Sequence, residues 1–137
     1  MNLVTSVANS AMAQHSVAVI EDDPSLRKAL ARLLSVVGYR VEAFASAEDF
    51  LNAADASKAD CLLVDVNLGE ISGLDLVRRL TSAGCKLPTV FMTGSKDDTV
   101  QQQCIDLGCV AFLRKPVPES ILMKAVARAI QSVLHRG

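Results

Sequence analysis

The chain has 137 residues, 50% of them hydrophobic, with 14 basic against 15 acidic side chains and a net charge of -1. That length suits one domain with a single core. The charge balance excludes the basic footprint of a nucleic-acid binder or of a protein drawn to anionic lipid, and no apolar run approaches the roughly 20 residues that cross a bilayer.

Cys61, Cys85, Cys104 and Cys109 are the only cysteines. Their spacing fits no zinc pattern, and reduced thiols in a cytoplasmic protein are the expectation. Residues 1–15 read as a flexible extension. Ala11-Met12-Ala13 has the look of a signal-cleavage site, but no positive charge precedes it, and Thr5, Ser6, Asn9 and Ser10 interrupt the apolar stretch.

Residues 16–137 read as one domain. Val17–Ile20 is an apolar run that ends in acids. Pro24–Val37 follows as a helix, with Leu26, Ala29, Leu30, Leu33, Leu34 and Val37 at helical spacing. Asp23 stands where an N-cap belongs, Pro24 suits the first helical position, and Gly38 ends the helix. Tyr39–Phe44 reads as a second strand, and Ser46 opens a short helix with Glu48 and Asp49 in its first turn.

Asp60–Asp65 carries a continuous apolar run, as a strand buried on both faces would. Leu74–Ala83 is the third helix, Pro88–Met92 the fourth strand, and Lys96–Leu107 the fourth helix, stopped by Gly108. Val110–Leu113 is the fifth strand and Pro118–Leu134 the last helix. Five βα units imply a parallel sheet covered by helices on both faces. Right-handed crossovers leave a doubly wound α/β fold, five strands in the order 2-1-3-4-5, as the natural arrangement.

In such sheets ligands bind beyond the carboxyl ends of the strands. Here those ends carry Glu21-Asp22-Asp23, Asp65, Thr93-Gly94 and Lys115-Pro116. Carboxylates held close repel one another unless one is protonated or a cation joins them. Oxygen ligands favour a hard ion, and Mg²⁺ or Mn²⁺ suits a few carboxylates plus waters. Cation, ammonium and hydroxyl together could hold the oxygens of a phosphoryl group in transfer to a carboxylate. Each signal alone has a plainer reading: a loop cap, a surface lysine, an ordinary turn, helix-entry chemistry. Their joint occurrence at four strand ends carries the case.

The constellation resembles the receiver domain of bacterial response regulators over about residues 16–135. The resemblance implies that Asp65 is the phosphoacceptor, with Gly73 in the family's glycine place eight residues on. It implies Thr93 as the switch hydroxyl, beside a small Gly94 that leaves room for the phosphoryl group, and Lys115 as the site lysine before a cis proline. Aligning Leu26-Arg27 makes Glu21 and Asp22 the acid pair and leaves Asp23 as the cap. Asp22 and Asp65 would then ligate the metal with the Asn67 backbone carbonyl, and Glu21 would act through a water. Phe112 stands at the aromatic switch position, where tyrosine is common, and Gly69 where proline is frequent. Asn67 and Ser95 occupy the places that tune the lifetime of the phosphorylated form.

The expected function follows from that likeness: a signalling phosphoacceptor rather than an enzyme, served by a histidine kinase or histidine phosphotransfer protein. Output would pass to a protein partner through the fourth helix, fifth strand and fifth helix, with homodimers admitted, and with no direct nucleic-acid or membrane contact. The chain could act alone or as the receiver of a longer transcriptional regulator. A haloacid-dehalogenase-type phosphatase would need an acid at position 67, where Asn67 stands. A flavodoxin-type nucleotide site would need a hydroxyl- and glycine-rich first loop, which here is acidic. A non-phosphorylated module of the same fold is the other alternative. His15 and His135 are expected at the surface, and Gln101-Gln102-Gln103 as a solvated helix face that could touch a partner.

Overall fold

Three strands whose sequences lack any polar alternation occupy the middle of the sheet, and every residue in them is buried. The structure, a computed structural model, describes residues 15–53 and 58–134. The expected extension therefore lies outside the described residues except for His15, as does His135. In chain order the elements are β1 (Ser16–Ile20), α1 (Pro24–Val37), β2 (Arg40–Phe44), α2 (Ala47–Ala53) and β3 (Cys61–Asp65). They continue with α3 (Gly73–Ser82), β4 (Thr89–Thr93), α4 (Asp98–Asp106), β5 (Ala111–Arg114) and α5 (Glu119–Leu134). All neighbouring strands pair in parallel, in the order β2-β1-β3-β4-β5. This is the expected doubly wound topology.

Alternate residues of each strand serve opposite faces. Val17, Val19, Leu63, Val90 and Met92 pack with Leu30 and Leu34 of α1 and Leu122, Val126 and Ala129 of α5. Ala18, Ile20, Leu62, Val64 and Phe91 pack on the other face with Phe50 of α2, Leu76 and Leu80 of α3 and Cys104 of α4. Burying a Leu or Phe side chain stabilises the fold by about 1.5–3 kcal/mol, so these two layers hold the sheet rigid beneath its polar ends.

Local chemistry fixes the helix boundaries. The Asp23 carboxylate accepts from the Ser25 N–H at 3.0 Å and caps α1, with Pro24 next. Gly38, at φ 120°, closes the helix, and the Tyr39 N–H returns to the Leu34 carbonyl at 3.1 Å. Tyr39 thus belongs to the helix exit, and β2 starts one residue later than expected. The fourth helix also starts late, at Asp98 rather than Lys96. The Asp97 carboxylate accepts from the Thr99 N–H at 2.9 Å and makes residue 97 the cap. Ser72 caps α3 in the same way through the Asp75 N–H, at 3.0 Å.

Among the described residues no helix is long and apolar enough to cross a membrane. Two expected surface residues are less free than anticipated. His15 is partly buried, its Nδ1 3.4 Å from the Asp60 carboxylate, because residue 15 leads directly into a buried strand. In the glutamine run, Gln102 and Gln103 are exposed. Gln101 is half-buried, and its side-chain carbonyl accepts from Arg114 at 3.4 Å.

Candidate functional site

Sheet register decides which strand-end residues meet. Ile20 pairs with Val64, so Glu21 and Asp65 leave neighbouring strands at the same level. Asp65 pairs with Met92 and Thr93 with Arg114, which sets Thr93 and Lys115 one step further along the same edge. Ladder-like hydrogen bonds continue past the strands: Glu21 N–H to the Phe44 carbonyl at 3.0 Å, Val66 N–H to Met92 at 2.8 Å, and Lys115 N–H to Thr93 at 2.7 Å. The backbone at the site is thereby as fixed as the sheet itself.

Lys115 joins two acids that lie far away in sequence. Its Nζ donates to Glu21 Oε1 at 2.6 Å and to Asp65 Oδ2 at 2.7 Å. Glu21 is fully buried and Asp65 nearly so, while Asp22 is exposed. The other Asp65 oxygen accepts from the Asn67 N–H at 2.9 Å. The Asn67 side-chain amide donates to Thr93 Oγ1 at 3.2 Å, and the Ser95 N–H donates to the same oxygen at 3.0 Å. In both contacts the buried Thr93 hydroxyl accepts, so its own hydrogen remains to be donated. The Lys115–Pro116 peptide bond is cis, as the resemblance implies.

Burial alone would depress the Lys115 ammonium, but the carboxylates of Asp65 and Glu21 outweigh it and raise its pKa above the ordinary value. Burial pushes the Glu21 carboxyl up to about 7. Lys115 and the Asp23 N–H act against that rise, while Asp22 and Asp65 add to it. The two shifts have different origins: burial dominates at Glu21, whereas the paired carboxylates dominate at Lys115.

Carboxylate oxygens of Glu21, Asp22 and Asp65 all lie within 4.8 Å of one another. Clustered oxygens with a deficit of positive charge are the donor set of a hard divalent cation, so these residues fit Mg²⁺ or Mn²⁺. Space for a further group exists beside them. A Cβ added at Gly94 would meet no atom within 4 Å, and the same holds at Gly69, whose φ is not positive. Beside Lys115 a groove of about 450 Å³ opens between Leu26, Leu30, Met92 and Leu122.

Glu21, Asp22, Asp65, Lys115, Asn67 and Thr93 are thus gathered at one sheet edge. Phe112 stands apart on β5, half-buried against the face that holds Phe91. Sequence reasoning missed Arg27, used only as an alignment anchor. Its Nη1 donates to the backbone carbonyls of Glu21 at 2.9 Å and Asp22 at 3.4 Å, and so ties down the acidic turn. A cation four residues after a helix cap, facing back over an acidic entry, was the available signal. Arg114 was missed as well, and its contacts are described below.

A family model of the response regulator receiver domain matches residues 17–127. The response regulator protein TodT of Pseudomonas putida is 36% identical over 113 residues, covering 82% of this chain and 50% of that protein. The chain therefore spans about half the length of such curated relatives. Among solved structures, FixJ-N superposes with a TM-score of 0.79 at 29% identity, covering 85% of this chain and 94% of that one. A beryllofluoride-activated receiver domain, that of DrrB, gives 0.76 at 27% identity, covering 85% and 97%.

Proposed function

Because the chain belongs to the response regulator receiver domain family, we propose that it is a phosphorylation switch whose acceptor is the Asp65 carboxylate. The observation that carries this reading is the Lys115 ammonium set between Asp65, at 2.7 Å, and Glu21, at 2.6 Å, at the edge of an acidic cluster. An Asp65 oxygen attacks the phosphorus of a phosphohistidine. The P–N bond breaks, the imidazole leaves, and a mixed anhydride forms on Asp65. The donor is a histidine kinase or histidine phosphotransfer protein. Water later cleaves the anhydride and returns the carboxylate.

Each residue has a part. Asp65, Asp22 and the Asn67 backbone carbonyl would hold Mg²⁺ or Mn²⁺, with Glu21 acting through a water. Bound there, the ion would neutralise charge on the phosphoryl oxygens. Lys115 holds a fixed positive charge beside the acceptor. Thr93 has an uncommitted O–H to donate to a phosphoryl oxygen. Glu21, with its raised pKa, limits the negative charge at the site before the ion arrives. Phe112 is the ring that follows Thr93, and Asn67 and Ser95 set how readily water reaches the anhydride.

The switch acts on a protein partner through α4, β5 and α5, in a domain that begins near residue 16. The length of TodT and similar relatives favours a second reading of the whole: this is the receiver of a longer transcriptional regulator. The test is intact mass after incubation with acetyl phosphate and Mg²⁺. One added phosphoryl group, absent in Asp65→Asn and absent without metal, supports the proposal. No adduct, together with no beryllofluoride complex, overturns it and leaves a non-phosphorylated interaction module.

A further inference from the structure

We propose that Arg114 is a positioning residue that couples the acidic site to the α4 face: it clamps the β4–α4 turn in the unphosphorylated form and releases it when Thr93 turns toward a phosphoryl group. The inference rests on the phosphoacceptor reading and adds a means of regulation to the same site.

Arg114 ends β5, directly before Lys115. Its Nη1 donates to the Ser95 carbonyl at 2.7 Å, and its guanidinium lies over the Phe112 ring, 5.4 Å from the centroid. Nη2 reaches Asp98 Oδ1 and Gln101 Oε1 on α4, each at 3.4 Å. The Asp98 side chain is 94% exposed, so that ion pair adds little. The short charge-assisted bond to Ser95 and the ring contact carry the clamp.

Ser95 connects the clamp to the site. Its N–H donates to Thr93 Oγ1 at 3.0 Å, and its carbonyl receives Arg114 at 2.7 Å. Rotation of the whole Thr93 side chain toward a phosphoryl oxygen, unlike rotation of its O–H alone, would withdraw Oγ1 from the Ser95 N–H. The turn then re-seats, and the carbonyl that Arg114 holds moves with it. Phe112 has no hydroxyl with which to report such a change. The guanidinium over its face gives the ring a polar contact, and the bond to Ser95 helps to hold the guanidinium there. The two states therefore differ in defined contacts, which is what coupling requires.

Hydrogen exchange across residues 95–106 would be measured in the full chain with Mg²⁺, with and without beryllofluoride, for wild type, Arg114→Ala and Arg114→Lys. In wild type, beryllofluoride is expected to speed exchange about fivefold. Arg114→Ala should exchange fast already, gain little on adding the mimic, and by linkage bind it about fivefold more tightly. Arg114→Lys keeps the charge but lacks the planar fork, and should fall between. Exchange raised by the same factor in both forms, with unchanged affinity, would reduce Arg114 to a brace for the turn and overturn the proposal. Wild type that binds no beryllofluoride would remove the phosphoacceptor reading itself, and this proposal with it. Should Arg114→Ala fail to fold, Arg114→Lys decides between the same outcomes.

Discussion

Gly73 lies so close to the main chain of Asp65 that a Cβ at residue 73 would strike the Asp65 carbonyl oxygen and sit 3.1 Å from the Val66 Cα. The Gly73 N–H also donates to the Val66 carbonyl at 2.9 Å, which seats α3 against the end of β3. No flexible side chain is there to give way. Gly73→Ala is expected to cost about 2 kcal/mol of stability and to slow phosphorylation of Asp65 at least about tenfold. Urea denaturation and the rate of adduct formation check it. Gly69→Ala, in open space, should stay within about 1 kcal/mol of wild type. Equal losses in the two variants would refute the argument.

Charge crowding predicts that one acid is kept at a cost to stability. Asp22→Asn removes an acid that adds to the rise of the Glu21 pKa. The metal-free variant is expected to be at least as stable as wild type at neutral pH, and to gain less on adding Mg²⁺. Thermal melts with and without Mg²⁺ measure both effects. A variant less stable than wild type without metal would show that Asp22 is not in conflict with its neighbours.

Asp97 gives a pH dependence of known sign. Hydrogen bonds from the Thr99 hydroxyl and the Thr99 N–H hold its carboxyl below the ordinary value. A depressed folded-state pKa adds stability that is present above the unfolded pKa and is lost as pH falls through the folded one. The stability difference between wild type and Asp97→Ala should therefore be full above about pH 5 and shrink as pH falls below the ordinary carboxylate range. Salt should shrink it as well, because the carboxylate is exposed. A difference constant with pH would mean that the cap does not depend on ionisation.

Thiol reactivity should follow burial. Cys61 and Cys104 are buried, and desolvation pushes both thiols up to about 12. At pH 8 only about one in ten thousand such thiols is ionised. Cys85 is exposed. Native protein treated with iodoacetamide is expected to carry its first adduct on Cys85, with Cys109 slower and Cys61 and Cys104 modified only in denaturant. Early labelling of Cys61 by peptide mapping would contradict the packing of β3.

The five βα units are legible in the sequence because each layer writes its own pattern. Unbroken apolar runs mark strands covered on both faces, and Asp23-Pro24 with Gly38 punctuates α1 through chemistry confined to a few residues. Boundaries that depend on a competing cap are less legible: Asp97 and Lys96 both stand before α4, and only the Asp97 carboxylate finds a backbone N–H. The convergence of Glu21, Asp65 and Lys115 follows from strand order, although 94 residues separate the first from the last. The assignment of Asp65 rather than Glu21 as acceptor needed the resemblance. Arg114 was not legible, and Arg27 only through its place four residues after the cap, because a long side chain on a helix or strand end chooses its partner from loop geometry that periodicity does not encode.

The separation between Glu21 and Lys115 also bears on how the molecule is made. Ribosomes deliver the acids long before the ammonium that holds two of them together. A nascent chain stopped before β5 lacks that ammonium, and the contact that bridges the two acids is among the most distant in sequence. The bridge between the two acids is therefore completed only by the residue that follows the last strand.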